Sequence, residues 1–387
     1  MAVDNARDPN IRFMVIDDQF NVRRMIFNFL RTFGYTKVED ASDGQDAWNK
    51  LGYTQVDFII CDWNMPKMTG LDLLKKVRND DAMRNVPFLM VTAEVVEEIV
   101  AEAIEEGVDG YIVKPFQAQT LIERIDSILE KRRNPDPVDV AFERGKALLA
   151  AGKPDQALES FDEALKLSPK SPRTLLAIGE ALEALQKDEE ALSRYKEAAN
   201  LAERFVKAHD RLATLYQKMG DAEEATKHLR RAAKISPRNA RRQLNLGKAL
   251  IEQGMLEEGM AALTNAQNAA KKDPDLFSEV GEVLLSAGLN EQAAEAFSEA
   301  VSIDPNMVHL YNRLGIAYRR QKRYDDALRV YGQAMSVAPD DENLLYNMAL
   351  ALIESKRAKE ARVCLQKALQ LREDFKEARV LLAKLPA

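Results

Sequence analysis

The chain has 387 residues, 46% hydrophobic and 30% charged, with a net charge of −7. That length exceeds one compact core and predicts two to three folded domains, and the composition excludes global disorder. Two cysteines far apart (Cys61, Cys364) and three histidines exclude a disulfide framework and a zinc cluster, and they fit a reducing cytoplasm. The acidic balance argues against a protein that coats nucleic acid. Met1–Asn10 carries Asp4, Arg7 and Asp8 without an apolar stretch and does not read as a signal peptide. No apolar run nears the roughly 18–20 residues that cross a bilayer, so no membrane partner is expected.

The first part alternates short β-branched or aromatic runs with amphipathic helical patterns. Strands are expected at Arg12–Ile16, Lys37–Asp40, Phe58–Cys61, Phe88–Thr92 and Gly110–Val113. Each precedes a helical pattern: Val22–Phe33, Gln45–Leu51, Leu71–Asn79, Val95–Glu106 and Ala118–Arg132. Strict alternation predicts an α/β fold with a doubly wound, five-stranded parallel sheet, whose site lies at the carboxyl ends of the strands. The pattern stops at Asn134-Pro135-Asp136-Pro137, which is read as a linker, giving domains 1–133 and 138–387. Residues 1–133 hold 17 Lys+Arg against 23 Asp+Glu; the remainder is nearly neutral.

At the predicted strand ends stand Asp17-Asp18, Asp62, Thr92 and Lys114-Pro115. One polar residue at a strand end reflects only the polarity of loops; five at successive ends form a pattern. Clustered carboxylates need a compensating cation, and Mg²⁺ with oxygen ligands supplies it. A carboxylate so placed can act as a nucleophile on phosphorus, with a lysine neutralising the transferred group.

The runs Phe13–Asp18, Asp62-Trp63-Asn64-Met65-Pro66, Met90-Val91-Thr92-Ala93-Glu94 and Tyr111-Ile112-Val113-Lys114-Pro115-Phe116 resemble a response-regulator receiver domain of the CheY type, with a flavodoxin-like fold, over nearly all of residues 11–132. The resemblance implies Asp62 as phosphoacceptor, and Asp17, Asp18, Asp62 and the Asn64 backbone carbonyl as Mg²⁺ ligands. It implies Thr92 and Tyr111 as a switch pair, Lys114 on the phosphoryl oxygens and a cis bond at Pro115. Val22, Arg23, Arg24 and Phe27, with Asn28, are implied as the contact for a sensor histidine kinase or phosphotransfer protein. Asn64 and Glu94 flank the site where the family tunes phosphoryl lifetime.

Residues 138–375 divide into seven 34-residue segments without a gap, starting at Val138, Pro172, Val206, Ala240, Pro274, Val308 and Glu342. The eighth position is always small: Gly145, Gly179, Ala213, Gly247, Gly281, Gly315, Ala349. The twenty-fourth is always large: Phe161, Tyr195, Leu229, Leu263, Phe297, Tyr331, Leu365. The twentieth is Ala or Gly and the twenty-seventh always Ala, so two helices per segment can approach closely. Pro169, Pro237, Pro305 and Pro339 end four second helices. This phase resembles a tetratricopeptide repeat (TPR) array, an all-α solenoid, with Lys376–Leu385 as a capping helix within 376–387. The resemblance implies a protein or peptide partner in the groove of the first helices. Groove candidates by phase are Lys207, Asp210, Thr214, Arg241, Asn245, Lys248, Asn312, Arg313, Arg319, Tyr346 and Asn347.

From Lys227 to Arg242 seven Lys/Arg occur without an acid. Lys227, Arg230, Arg231, Arg241 and Asn245 are therefore a candidate partner surface, read as a solvated cationic face or a dock for an acidic protein. One acidic candidate is the fourth helical pattern of the first part, with Glu97, Glu98, Glu102, Glu105 and Glu106. No residues remain for a DNA-binding or enzymatic output domain, and no nucleic acid is expected. The sequence therefore reads as a bacterial, cytoplasmic, phosphorylation-controlled interaction protein and not an enzyme. The alternative is a phosphorylation-independent adaptor or phosphate sink in a chemotaxis or motility-type pathway. Both domain types form dimers in other proteins, which leaves the oligomeric state open.

Overall fold

A computed structural model of the chain describes residues 8–93 and 106–385. The expected helix at Val95–Glu106 and its acidic face lie, but for Glu106, outside the described residues. The chain forms two compact units, Met1–Ala208 and His209–Ala387. The division falls inside the third helix pair of the array. Each pair in a solenoid touches only its neighbours, so compactness alone marks no repeat boundary.

The first unit opens with β1 (Arg12–Ile16), α1 (Phe20–Thr32), β2 (Lys37–Ala41), α2 (Gly44–Leu51), β3 (Phe58–Asp62), α3 (Gly70–Asn79), β4 (Phe88–Thr92), β5 (Gly110–Val113) and α4 (Ala118–Arg133). All five strands are parallel, in the order β2-β1-β3-β4-β5. The three central strands are buried on both faces. Phe13, Val15, Phe58, Ile60, Leu89 and Val91 face Ile26 and Leu30 of α1 and Leu121, Ile122 and Ile125 of α4. Met14, Ile16, Ile59, Cys61, Phe88 and Met90 face Ala47 and Leu51 of α2 and Leu73, Leu74 and Val77 of α3. This alternation is the period of two of an extended strand, with both faces covered by crossover helices. Edge strand β2 keeps only Ala41 fully buried, which fits its polar run Lys37-Val38-Glu39-Asp40.

Three residues separate the end of α4 from the start of helix α5 (Pro137–Ala150). Pro137, expected from the sequence to belong to the linker, is instead the first residue of this helix. It occupies the first helical turn, where no amide is needed, and Asp136 accepts a hydrogen bond from the Val138 amide as N-cap. The rest of the chain is α6 (Pro154–Leu167), α7 (Pro172–Ala184), α8 (Asp188–Leu201), α9 (Val206–Met219), α10 (Ala222–Ile235), α11 (Ala240–Glu252) and α12 (Leu256–Ala269). Then follow α13 (Pro274–Ser286), α14 (Asn290–Ile303), α15 (Val308–Arg320), α16 (Tyr324–Val337), α17 (Glu342–Glu354), α18 (Ala358–Leu371) and α19 (Lys376–Ala383). Six of the seven first helices start at the residue that opens a 34-residue segment. Small and large columns meet as the spacing requires: the Gly179 backbone lies under the Tyr195 ring, where a Cβ would come within 2.3 Å of Cε1. Tyr195, Tyr331, Phe161 and Phe297 are fully buried.

Candidate functional site

The order of the sheet reverses at β1, between β1–β2 and β1–β3, and such switch points open a crevice at the carboxyl ends of the strands. Ile16 pairs with Cys61 in register, so the next residues, Asp17 and Asp62, emerge side by side. Backbone hydrogen bonds continue each ladder into the site: Asp17 N to Ala41 O at 3.3 Å, Trp63 N to Val91 O at 2.9 Å and Lys114 N to Thr92 O at 2.7 Å. Helix α3 closes tightly on this edge. A Cβ on Gly70 would meet the Asp62 carbonyl oxygen at 2.1 Å, so only glycine fits there.

The Lys114 ammonium bridges the two carboxylates, with Nζ 2.6 Å from Asp17 Oδ2 and 2.6 Å from Asp62 Oδ1. Asp17, Asp62 and Thr92 are buried. Asp17 Oδ1 also accepts from the Gln19 amide at 2.9 Å. Burial pushes the Asp62 carboxyl above its ordinary value; the nearby Asp17 charge adds to this, and Lys114 and the Asn64 amide offset it only in part. For Lys114 burial works downward, but the hydrogen bonds to Asp17 and Asp62 outweigh it, and its pKa is raised. Cys61 is buried with its thiol 3.2 Å from the Asp62 carbonyl oxygen, and burial raises its pKa well above the ordinary value. A thiol held neutral and enclosed is chemically inert.

The other expected residues fall around this pair. Asp18 and Asn64 are exposed at the rim, Tyr111 is half-buried against the α2–α3 face, and the Lys114–Pro115 bond is cis. No group of three His, Cys, Asp or Glu side chains placed to hold a metal ion occurs among the described residues. Asp17 and Asp62 are brought together; the Asp18 carboxylate stands apart from them. The paired Asp17 and Asp62 carboxylates are oxygen donors of the kind Mg²⁺ takes, with water completing its shell. Of the expected kinase contacts, Arg24 is exposed, while Val22 and Phe27 are half-buried. Arg23 is engaged internally, with Nη1 2.7 Å from the Asp17 carbonyl oxygen and Nε 2.7 Å from Asp40 Oδ2.

In the array, the basic stretch is not a bare cationic face. Lys227 pairs with Glu224 at 2.7 Å, Arg242 with Asp210 at 2.9 Å, Arg230 with Glu258 and Arg241 with Glu279. Except for Glu224, just before the run, the acids come from elsewhere in the array, 28 to 38 residues away. His209 and His228, which sequence reasoning passed over, place their Nδ1 atoms 3.0 Å apart with stacked rings. Asn245 is exposed. Groove candidates on neighbouring helices also pair with one another or with nearby acids: Asn347 donates to Asn312 Oδ1 at 2.9 Å, and Arg313 lies 2.6 Å from Glu282.

The chain matches the family model of the response regulator receiver domain over residues 13–126. Tetratricopeptide repeat models match residues 216–278 and 318–385, and 142–205 and 256–308. Chemotaxis protein CheY-3 of Vibrio cholerae is 44% identical over 124 residues, which is 32% of this chain and 95% of that protein. Chemotaxis protein CheY of Pseudomonas aeruginosa is 46% identical over 121 residues, 31% of this chain and 98% of that protein. The solved C-terminal part of a TPR repeat-containing protein from Cytophaga hutchinsonii covers 62% of this chain and 98% of its own, with 16% identity and a TM-score of 0.52, a likeness of fold alone. The chain thus belongs to the response regulators, with a CheY-type receiver joined to a tetratricopeptide array. Both are regulatory families, the first addressed by kinases or phosphotransfer proteins and the second by proteins. No helix among the described residues is long and apolar enough to cross a membrane.

Proposed function

We propose that this response regulator accepts a phosphoryl group on Asp62 from a histidine kinase or phosphotransfer protein and thereby controls which protein its array holds. The observation that carries the reading is the Lys114 ammonium bridging two buried carboxylates at the switch point of the sheet. Asp62 Oδ attacks phosphorus as the donor's P–N bond breaks, giving an acyl phosphate; water later cleaves it to Asp62 and inorganic phosphate. The transferred group brings negative charge into the space beside Asp17 and Asp62, and Lys114 is placed to neutralise it. Asp17, Asp62 and the Asn64 carbonyl, with Asp18 at the rim, would hold Mg²⁺, which when bound supplies charge neutralisation to the phosphoryl oxygens. Thr92 and Tyr111 are the proposed pair that reports the charge to the surface. Residues 1–133 are the receiver, 138–375 the seven repeats and 376–387 the cap. Val22, Arg24 and Phe27 are the kinase contact, since Arg23 holds the Asp17 turn. Lys227, Arg230, Arg231, Arg241 and Asn245 remain the proposed partner surface, one that exchanges internal acid partners for those of an acidic protein. The cytoplasm is the proposed compartment.

Hydrogen exchange on the whole chain tests this, with Mg²⁺ alone and with Mg²⁺ plus beryllofluoride as stand-in for the aspartyl phosphate, and with Asp62→Asn as control. Protection changes reaching beyond residue 138 in the wild type only are the expected result. Changes confined to the receiver favour the constitutive adaptor; no response in either part refutes the assignment of Asp62.

A further inference from the structure

The loop between β3 and α3, Trp63 to Thr69, carries the Asn64 backbone and is tied at two places. At its base the Gly70 amide donates to the Trp63 carbonyl oxygen at 2.9 Å. At its tip Lys67 takes a left-handed backbone, φ 65°, uncommon for a residue with a side chain. Its ammonium lies 2.7 Å from Asp43 Oδ2. Asp43 is buried and also caps α2, its Oδ1 accepting from the Asp46 amide at 2.8 Å. One residue on, the backbones themselves touch: the Gly44 amide donates to the Met68 carbonyl oxygen at 3.3 Å, where a Cβ on Gly44 would stand 2.6 Å from that oxygen. A conformation of intrinsic cost persists only where its surroundings fix it, and here those surroundings are the N-terminus of α2.

We propose that the Asp43–Lys67 ion pair is a positioning clamp that fixes the loop tip against α2, places the Asn64 backbone beside Asp62, and so sets the affinity of the receiver for Mg²⁺ and the phosphoryl group. The inference rests on the proposed function of Asp62. Its independent content is that residues in contact with neither ligand tune both. The Lys67 hydrogen bond also holds the Asp43 carboxyl below its ordinary value, as an engaged pair requires. Lys67 is a positioning residue: its side chain is 68% exposed, so its replacement leaves the core and the Asp43 cap intact.

The test uses the full chain with Trp48→Phe, which leaves Trp63 as sole tryptophan, and measures Mg²⁺ binding by calorimetry and by Trp63 fluorescence, then beryllofluoride binding. Lys67→Met and Asp43→Asn are each expected to weaken Mg²⁺ about fivefold, the scale of one charge-assisted hydrogen bond partly open to water. Lys67→Arg should restore near-normal affinity, and the double variant Lys67→Met/Asp43→Asn should be no weaker than either single one. A merely structural pair would shift thermal midpoints and leave Mg²⁺ affinity within about twofold, which overturns the proposal. If the wild type binds Mg²⁺ and beryllofluoride while the clamp variants match it, only the clamp falls. A wild type that binds neither removes the proposed function and the clamp together.

Discussion

Two glycines in neighbouring helices of one repeat should respond to the same substitution with opposite signs. Gly315 in α15 faces Tyr331 in α16. A Cβ there would lie 2.2 Å from Cε1, 2.5 Å from Cζ and 2.8 Å from Cδ1 of a ring that is 0% exposed. Ordinary contact begins near 3.4 Å, so ring or helix must retreat by about 1.2 Å, at the roughly 1–3 kcal/mol typical of overpacking. Alanine returns about 1 kcal/mol in helix propensity, leaving a net loss of about 1 kcal/mol for Gly315→Ala. Gly332, next to Tyr331 on the exposed side of α16, meets nothing within 4 Å, so Gly332→Ala keeps the whole propensity gain of about 1 kcal/mol. Urea unfolding followed by far-UV circular dichroism should separate the two variants by about 2 kcal/mol. Hydrogen exchange of α15 and α16 should localise the difference, because a solenoid opens locally. The chain supplies its own control: where the eighth position is alanine, the twenty-fourth is leucine, as in Ala213 with Leu229 and Ala349 with Leu365. In a Tyr331→Leu background, Gly315→Ala should therefore cease to be harmful. A Gly315→Ala chain as stable as the wild type would refute the packing argument.

Asp62→Asn should raise the thermal midpoint by a few degrees at neutral pH, because it removes a charge that burial disfavours; a fall in the midpoint would contradict this. The sign follows from the raised carboxyl. The folded state binds its proton more tightly than the unfolded one, so the wild type loses stability as pH rises through that range, and the gain from Asn should appear there. Lys114→Met leaves Asp17 and Asp62 unbridged and should cost about 1–3 kcal/mol, with Mg²⁺ then stabilising the variant more than the wild type in thermal melts. Lys322→Gly should stabilise the array by about 0.5–1 kcal/mol in urea unfolding, because Lys322 holds φ 62° where glycine is unstrained. Asp43 is lowered by Lys67, so its contribution is present above the unfolded carboxylate pKa and is lost as pH falls through the folded one; the stability difference between wild type and Lys67→Met should vanish in acid.

The sheet was legible because its signal is local. Continuous apolar runs such as Phe58–Ile60, each followed by an amphipathic helical pattern, fit strands covered on both faces, and the residue after each run is placed by the ladder. Asp17, Asp62 and Lys114 were found by that reasoning and stand together. Asp18 joins Asp17 in sequence, but successive residues at a strand end point apart, and it lies at the rim. The repeats were legible through the small and large columns because helix packing needs complementary volumes at fixed spacing. A further column escaped notice. The fifteenth position of all seven repeats has positive φ: Gly152, Gln186, Gly220, Gly254, Gly288, Lys322 and Lys356. Glycine occupies only four of them, so composition hides a geometry that the backbone keeps, the left-handed residue closing each first helix.

What escaped the sequence was long-range charge pairing, and for one reason. A run of cations from Lys227 to Arg242 looks unopposed when read along the chain, yet the repeat sets three of them next to acids of other helices: Arg230 beside Glu258, Arg241 beside Glu279 and Arg242 beside Asp210. Lys67 is likewise unremarkable within its loop and acquires a role only from Asp43, 24 residues earlier. Arg23 reads as an exposed contact on α1, yet its guanidinium is spent on Asp40 and the Asp17 carbonyl. Partnership of charges is a property of topology. Exposed pairs of this kind contribute little to stability, so exchanging Glu258 or Glu279 for a partner's carboxylate would be nearly isoenergetic. The proposed docking of an acidic protein on this surface should therefore show a weaker salt dependence than seven free charges would give, because Lys227, Arg230, Arg241 and Arg242 already have acid partners.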